Sequence, residues 1–271
     1  MTRLVSVAHL TLIELDPPEM VAACAAAGFD RIDLRLKRAT PTDAEYPMFG
    51  DTPMMRETRK RLADTGLQVA GVEIIRLRTD TDIDSFLPLF EAGQRLGATR
   101  LKVVADDADE AAVTARFAET CEKAAPFGLA VDIEFLPWSG VRTVAQAVRV
   151  VTRAGQPNGH VLVDALHLDR SGGGPGDLAG LDRHLFGYLD LCDAPAARPT
   201  TTEAIIQEAR AERMIPGTGG LPLAELIRCF PADFPVCLEI PMKAVAREIG
   251  LWEHARRCVD GTRRFLAANG L

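Results

Sequence analysis

The sequence is short of basic residues, of long apolar runs and of ordered cysteine spacings, and each shortage excludes a class. Lysine and arginine number 31 against 38 acidic residues, for a net charge of −7. Neither nucleic acid nor an anionic membrane is therefore expected as the main partner. No apolar run approaches the roughly 20 residues of a membrane span. Six cysteines (Cys24, Cys121, Cys192, Cys229, Cys237 and Cys258) stand without a CxxC pair or regular spacing. In a chain of this length they read as reduced, mostly buried thiols of a cytoplasmic protein. The opening Met1-Thr2-Arg3-Leu4-Val5 lacks the apolar core of a signal peptide. The glycine-rich stretch Gly172-Gly173-Gly174-Pro175-Gly176 matches neither GxGxxG nor GxxxxGK[ST], so a nucleotide fingerprint is missing. No linker rich in proline, glycine or serine divides the chain, and one domain over residues 1–271 is expected.

What is present is a rhythm. Short apolar segments at 4–8, 31–36, 67–75, 99–104, 129–135, 160–165, 185–191 and 235–239 read as buried strands. Between them lie helical patterns. The first opens at Asp16-Pro17-Pro18-Glu19, an N-cap followed by first-turn proline, and stops at Gly28. Others cover 53–65, 82–96, 109–125, 141–154, 202–211 and 222–229, with a short one near 177–181 and a closing helix over 248–268. Eight strand–helix units in 271 residues predict a closed (β/α)8 barrel, which typically needs about 250.

Carboxylates stand where several of these strands give way to loops. Glu134 ends Val131-Asp132-Ile133-Glu134, Asp164 ends Val161-Leu162-Val163-Asp164, and Glu239 ends Val236-Cys237-Leu238-Glu239. A desolvated carboxylate needs a cation or hydrogen-bond donors. Three acids from three strands converge if the strands close around one mouth, and three hard oxygen ligands suit one divalent ion such as Mn²⁺ or Mg²⁺. The alternative is a buried salt-bridge network with arginines. Asp190 shares the inward face of Gly187-Tyr188-Leu189-Asp190 and is a candidate fourth ligand; Asp193 starts the following loop and would cap a turn.

Other side chains could surround such a centre. His167, three residues after Asp164, is expected on a loop, holding a substrate hydroxyl or exchanging a proton. Arg213 precedes Pro216-Gly217-Thr218-Gly219 and suits an anionic or polyhydroxylated substrate. His9, Glu73, Arg76 and Arg78 follow strands and are candidates for the pocket wall, equally for the rim. Trp138 could form an apolar wall for a ring face, and Trp252 reads as core. Arg213, Arg76 and Lys102 could serve a phosphate, although a phosphate motif is missing. Met48, Phe49, Met54 and Met55 would suit an apolar loop covered by a second copy in a homodimer, or one folded over the pocket as a lid.

With these residues in view, the chain resembles the xylose isomerase-like TIM-barrel superfamily, the sugar phosphate isomerase/epimerase group, along nearly its whole length. The resemblance rests on Ala26-Ala27-Gly28-Phe29-Asp30, Asp132-Ile133-Glu134, Val163-Asp164-Ala165-Leu166-His167, Pro216-Gly217-Thr218-Gly219 and Leu238-Glu239, in that order. It implies one divalent ion held by Glu134, Asp164 and Glu239, with a fourth ligand from strand seven. Many members place histidine there, whereas this sequence has Asp190. The implied activity is isomerisation or epimerisation of a sugar, sugar phosphate or related polyhydroxy carbonyl compound through a metal-bound enediolate. Glu134 and Glu239 would act as base and acid, while His167 and Arg213 hold distal oxygens. Expulsion of a β-hydroxyl from the same enediolate would instead make it a dehydratase, inosose dehydratase-like or 3-dehydroshikimate dehydratase-like, with His167 as the acid. A non-catalytic polyol-binding barrel is a third reading. An endonuclease IV-like reading fits poorly, because five histidines and a net negative charge do not suit a histidine-rich metal cluster in a basic DNA groove.

Overall fold

The computed structural model describes residues 3–40 and 43–271; Met1 and Thr2, part of the segment read above for a leader, lie outside them. Eight parallel strands close into a barrel in sequence order: β1 (Val5–Ala8), β2 (Arg31–Arg35), β3 (Gln68–Leu77), β4 (Arg100–Ala105), β5 (Ala130–Glu134), β6 (Gly159–Asp164), β7 (Phe186–Leu191) and β8 (Val236–Leu238). The helices between them are α1 (Pro17–Ala27), α2 (Pro53–Thr65), α3 (Leu87–Leu96), α4 (Glu110–Ala124), α5 (Val144–Ala154), α6 (Ala165–Arg170), α7 (Thr202–Ala211), α8 (Leu223–Arg228), α9 (Lys243–Ile249) and α10 (Leu251–Ala268). This is the (β/α)8 architecture that the alternation predicted. Among the described residues no helix is long and apolar enough to cross a membrane.

Period-two alternation sorts each strand into two files. The outward file, including Val7, Ile32, Leu34, Leu101, Val103, Ile133, Val163, Leu189 and Leu238, joins the main core beneath the helices. In the inward file Ala8, Leu162, Tyr188 and Cys237 form a separate small cluster. Around that plug the inward positions are charged: Asp33, Arg35, Lys102, Asp132, Glu134, Asp164, Asp190 and Glu239 are all buried. A barrel interior is ordinarily filled by branched apolar side chains. Here the hydrophobic effect acts mainly between sheet and helices, and ion pairing organises the lumen.

Several local expectations need correction. Residues 82–96 do not form one helix. A 3-10 turn, Ile83–Phe86, precedes α3, which restarts with a proline in its first turn, where the missing N–H costs nothing. The closing helix is broken at Gly250, whose φ of 83° and ψ of 150° separate α9 from α10. The short helix expected near 177–181 is a 3-10 turn, Pro175–Leu178. His167 lies in α6, not on a loop, because the Asp164 side chain caps that helix by accepting a 2.9 Å hydrogen bond from the His167 N–H. Trp252 is 52% exposed instead of core, since it sits in the first turn of α10 ahead of that helix's buried stripe. Met48 and Met55 are buried, and Phe49 and Met54 pack against the main core. That segment therefore presents neither an apolar loop nor a lid.

Candidate metal centre

The barrel closure brings the strand-end acids together. Glu134 ends β5, Asp164 ends β6, Asp190 lies on β7 directly opposite Asp164 in the pairing register, and Glu239 follows β8. All four are buried. Arg213, just beyond α7, spans two of them: Nη1 donates to Asp164 Oδ2 at 2.6 Å and Nη2 to Glu239 Oε2 at 2.7 Å. Lys102 reaches in from β4, its Nζ 2.6 Å from Asp190 Oδ2 and 3.1 Å from Glu239 Oε1. His167 Nε2 stands 3.4 Å from Arg213 Nη2, 3.8 Å from Glu134 Oε1 and 3.9 Å from Asp164 Oδ2. Trp138 meets the imidazole edge-on with ring centres 5.1 Å apart.

Four carboxylates meet two fixed cations, so the cluster is short of positive charge. Burial, with the nearby charges of Glu239 and Asp164, pushes the Glu134 carboxyl up to about 8 against the pull of Lys102. Burial opposes ionisation of Glu239 as well, yet Lys102 and Arg213 bring it down to about 2. Asp164 is likewise lowered against burial, by Arg213. Burial lowers His167 to about 4, so its imidazole is neutral.

The donor set fits a divalent ion. One ligand atom from each of Glu134, Asp164, His167 and Glu239 lies within 4.8 Å of all the others. Two ligand atoms across an ion at about 2.1 Å each would span a similar distance. Glu134 Oε1, Asp190 Oδ1 and His167 Nδ1 are buried without a hydrogen-bond partner. Such orphans mark a place for an ion or water. Both alternatives drawn from the sequence thus meet in one cluster: among the described residues Asp164, Asp190 and Glu239 are salt-bridged, Glu134 is not, and the group retains the geometry and charge to hold a metal.

Above the cluster opens a cavity of about 220 Å³. Lys102, Glu134, Trp138, His167, Arg213 and Glu239 line its floor and walls. Arg35, Arg76, Arg210 and Lys243 add positive charge around them. Arg76 is paired to Asp106, at 2.5 and 3.0 Å. Arg210 and Lys243 make no side-chain hydrogen bond or ion pair among the described residues. Partial burial and the neighbouring Arg76 lower the Arg210 pKa from its ordinary value.

His9 and Glu73 stand behind the cavity wall. His9 Nε2 bonds the Leu15 carbonyl at 2.9 Å, and its Nδ1 accepts from the Arg35 backbone N–H at 3.0 Å. Glu73 accepts from Arg35 Nε and Nη2 at 3.2 and 2.7 Å. Both therefore act on the cavity through Arg35, which they hold in place. Arg78 points to solvent beside Asp80. Asp193 anchors the glycine-rich loop: its carboxylate accepts from the N–H groups of Gly217, Gly219 and Leu221 at 2.9 to 3.0 Å. A Cβ at Gly219 would fall 2.4 Å from the Ala194 carbonyl oxygen. A backbone bridge pairs Asp193 with Met214, next to Arg213, so the same anchor fixes the guanidinium.

Sequence reasoning missed the centrality of Lys102, considered there for a phosphate alone. The signal was present: a lysine inside Leu101-Lys102-Val103-Val104 is as anomalous in a buried strand as the acids were. Arg210 and Lys243, on helices, carried no such signal.

Comparison with known proteins places the chain. A family model described as xylose isomerase-like TIM barrel matches residues 21–260. Two curated relatives, 3-dehydroshikimate dehydratases of Pseudomonas aeruginosa and Pseudomonas putida, are 28% and 26% identical over 220 residues, 76% of this chain. The chain spans about a third of their length, 33% of each. Among solved structures, the IOLI protein with a bound zinc atom is similar at a TM-score of 0.77 with 16% identity, covering 98% of both chains. The probable 3-DHS dehydratase AsbF from Bacillus anthracis is similar at 0.76 with 16% identity, covering 96% of this chain and 99% of that one. A D-allulose 3-epimerase from Methylomonas sp. is similar at 0.69, also 16% identical, covering 98% and 99%. At such identities these structures speak for the fold alone. By the family model and the closed eight-stranded barrel, the chain belongs to the xylose isomerase-like TIM barrel family.

Proposed function

We propose that this protein is a divalent-metal-dependent lyase that removes water from a cyclic β-hydroxy ketone carrying a carboxylate, a compound of the 3-dehydroshikimate type. The observation that carries this reading is the basic mouth, where among the described residues Arg210 and Lys243 make no side-chain hydrogen bond or ion pair and stand beside Arg35 and Arg76, with Asp43 as the acid of that rim. A neutral ketose offers these charges nothing to neutralise, whereas a carboxylate pairs with a guanidinium bidentately. The names of the two curated relatives agree with it.

Glu134, Asp164 and Glu239 would hold the ion, which supplies a Lewis acid for the ketone oxygen as the neighbouring carbon loses its proton. His167 takes that proton. Arg213 Nη2 can only donate, so the imidazole faces it with the Nε2 lone pair and carries its own hydrogen on Nδ1. Nε2 accepts the α-proton in place of the long contact from Arg213, and Glu134 and Asp164, at 3.8 and 3.9 Å, offset the repulsion between the imidazolium and that guanidinium as it forms. The electrons of the broken C–H bond form the ring double bond, the β C–O bond breaks, and Nε2 returns its proton to the departing hydroxyl as water. Trp138 offers a flat apolar wall to the ring.

A second reading, isomerisation or epimerisation of a sugar or sugar phosphate, is favoured by two carboxylates, Glu134 and Glu239, lining the same cavity. They could serve opposite faces of one carbon. Mass spectrometry after incubating Mn²⁺-loaded protein with 3-dehydroshikimate, and separately with ketoses in heavy water, separates the two. Loss of one water from the acid is the expected result. Deuterium uptake by a ketose without change of composition, and no reaction of the acid, would replace the lyase reading by the second.

A further inference from the structure

We propose that Lys102 is a resident cation of this centre which keeps Asp190 out of the metal's ligand set and sets how tightly the ion is held. The inference rests on the metal reading given above and adds a role for two residues on opposite walls of the barrel. Lys102 and Asp190 have side-chain exposures of 2% and 0%, and their ion pair at 2.6 Å crosses the lumen from β4 to β7. Asp190 is the carboxylate in the register where a fourth ligand was expected. It is nevertheless absent from the described group whose donor atoms converge within 4.8 Å. Its Oδ2 is committed to an ammonium, which itself cannot ligate a cation, and its remaining Oδ1, unpartnered among the described residues, is not one of the converging donors. Lys102 also holds Glu239 Oε1, an oxygen of one of the converging acids, at 3.1 Å.

The consequence is electrostatic. A positive charge this close to Glu239, in a buried site, repels an incoming divalent ion and competes for its ligand. With Asp190 ionised the pair is neutral as a unit, so the ion meets Glu134, Asp164 and Glu239 with Arg213 alongside, and Asp190 serves as the counter-charge of Lys102. In the metal-free chain Lys102 has a second effect, because it holds together carboxylates that would otherwise repel one another.

The test is Mn²⁺ titration by calorimetry on metal-stripped protein, with melting temperature recorded with and without the ion. It compares wild type, Lys102→Met, Asp190→Asn and the double variant. Lys102→Met should bind Mn²⁺ about ten-fold more tightly or better, and melt lower than wild type when metal-free. Asp190→Asn leaves Lys102 paired to Glu239 without its other counter-charge and should bind more weakly. The double variant decides between the roles. With Asp190 outside the ligand set, removing both charges restores binding to within about ten-fold of wild type, or tighter. A larger loss in the double variant makes Asp190 a ligand and overturns the proposal, while the metal reading stands. If Lys102→Met fails to fold, the double variant, free of uncompensated charge at that pair, still separates ligand from counter-charge. If wild type and every variant ignore Mn²⁺, both readings fall. If the two Lys102 variants bind and wild type does not, the exclusion is stronger than proposed and the metal-dependent function of the wild type falls alone.

Discussion

The two ends of the barrel handle buried charge differently. At the amino-terminal end Arg100 donates through Nε and Nη2 to both oxygens of Asp132, one base to one acid. Its guanidinium lies over the Tyr188 ring at 5.2 Å. Gly187 leaves room for this pair, since a Cβ there would collide with both the Arg100 guanidinium and the Asp132 carboxylate. At the carboxyl-terminal end four acids share two cations, three buried polar atoms lack partners, and a cavity opens above them. Asp33, buried beside the Arg100 pair, has no base of its own among the described residues, and burial with the charge of Glu73 pushes its carboxyl up to about 7, which lightens the charge it leaves there. Charge that is paired or lightened ties strands together; charge left in excess at the loop end is available to a ligand. This division agrees with the general placement of catalysis at the carboxyl-terminal face of such barrels and of stability at the other.

The largest effect should come from breaking the paired end. Arg100→Met strands the buried Asp132 carboxylate and should cost about 3–5 kcal/mol in chemical denaturation, with metal affinity and turnover per folded molecule unchanged. Loss of Mn²⁺ binding in that variant would show that the two ends are coupled. Next comes the open end. Asp164→Asn should weaken Mn²⁺ binding by about a hundred-fold or more and reduce turnover in step, since it removes a proposed ligand and one of the two carboxylate partners of Arg213. A variant that keeps its metal would take Asp164 out of the ligand set. Gly219→Ala, which wedges a methyl against the Ala194 carbonyl and the Asp193 carboxylate, should lower kcat by about ten-fold through the misplaced Arg213. Arg210→Ala is the mildest. KM for an acidic substrate should rise several-fold with kcat nearly constant, and KM for a neutral ketose should not move. Equal effects on both substrates would remove the basis for an anionic ligand.

Much of this was legible in the sequence. Strands such as Val161-Leu162-Val163-Asp164 declared themselves because a run buried on both faces must be apolar, and a carboxylate at its end is then conspicuous. Asp164, Glu134 and Glu239 stood out that way and converge in the structure, and Trp138 and Arg213 line the same candidate site. His167 was assigned to a loop although Asp164 is a good N-cap and Ala165 and Leu166 are strong helix formers; here the signal was local and present in the sequence. Where the reading slipped otherwise, a local choice depended on a distant or competing contact. His9 and Glu73 face the site in sequence terms, but a backbone N–H and a guanidinium, both of Arg35, claim them first.

The sequence by itself determined the eight-fold alternation, the outward apolar file and the acids at the strand ends, because each follows from local periodicity and the cost of burying charge. Tertiary closure alone decided which charges meet. Lys102 and Asp190 are 88 residues apart and Arg213 and Asp164 are 49 apart. No local pattern encodes those distances. Ring closure and strand register place the partners within hydrogen-bond reach, and so make four separately placed acids one electrostatic unit.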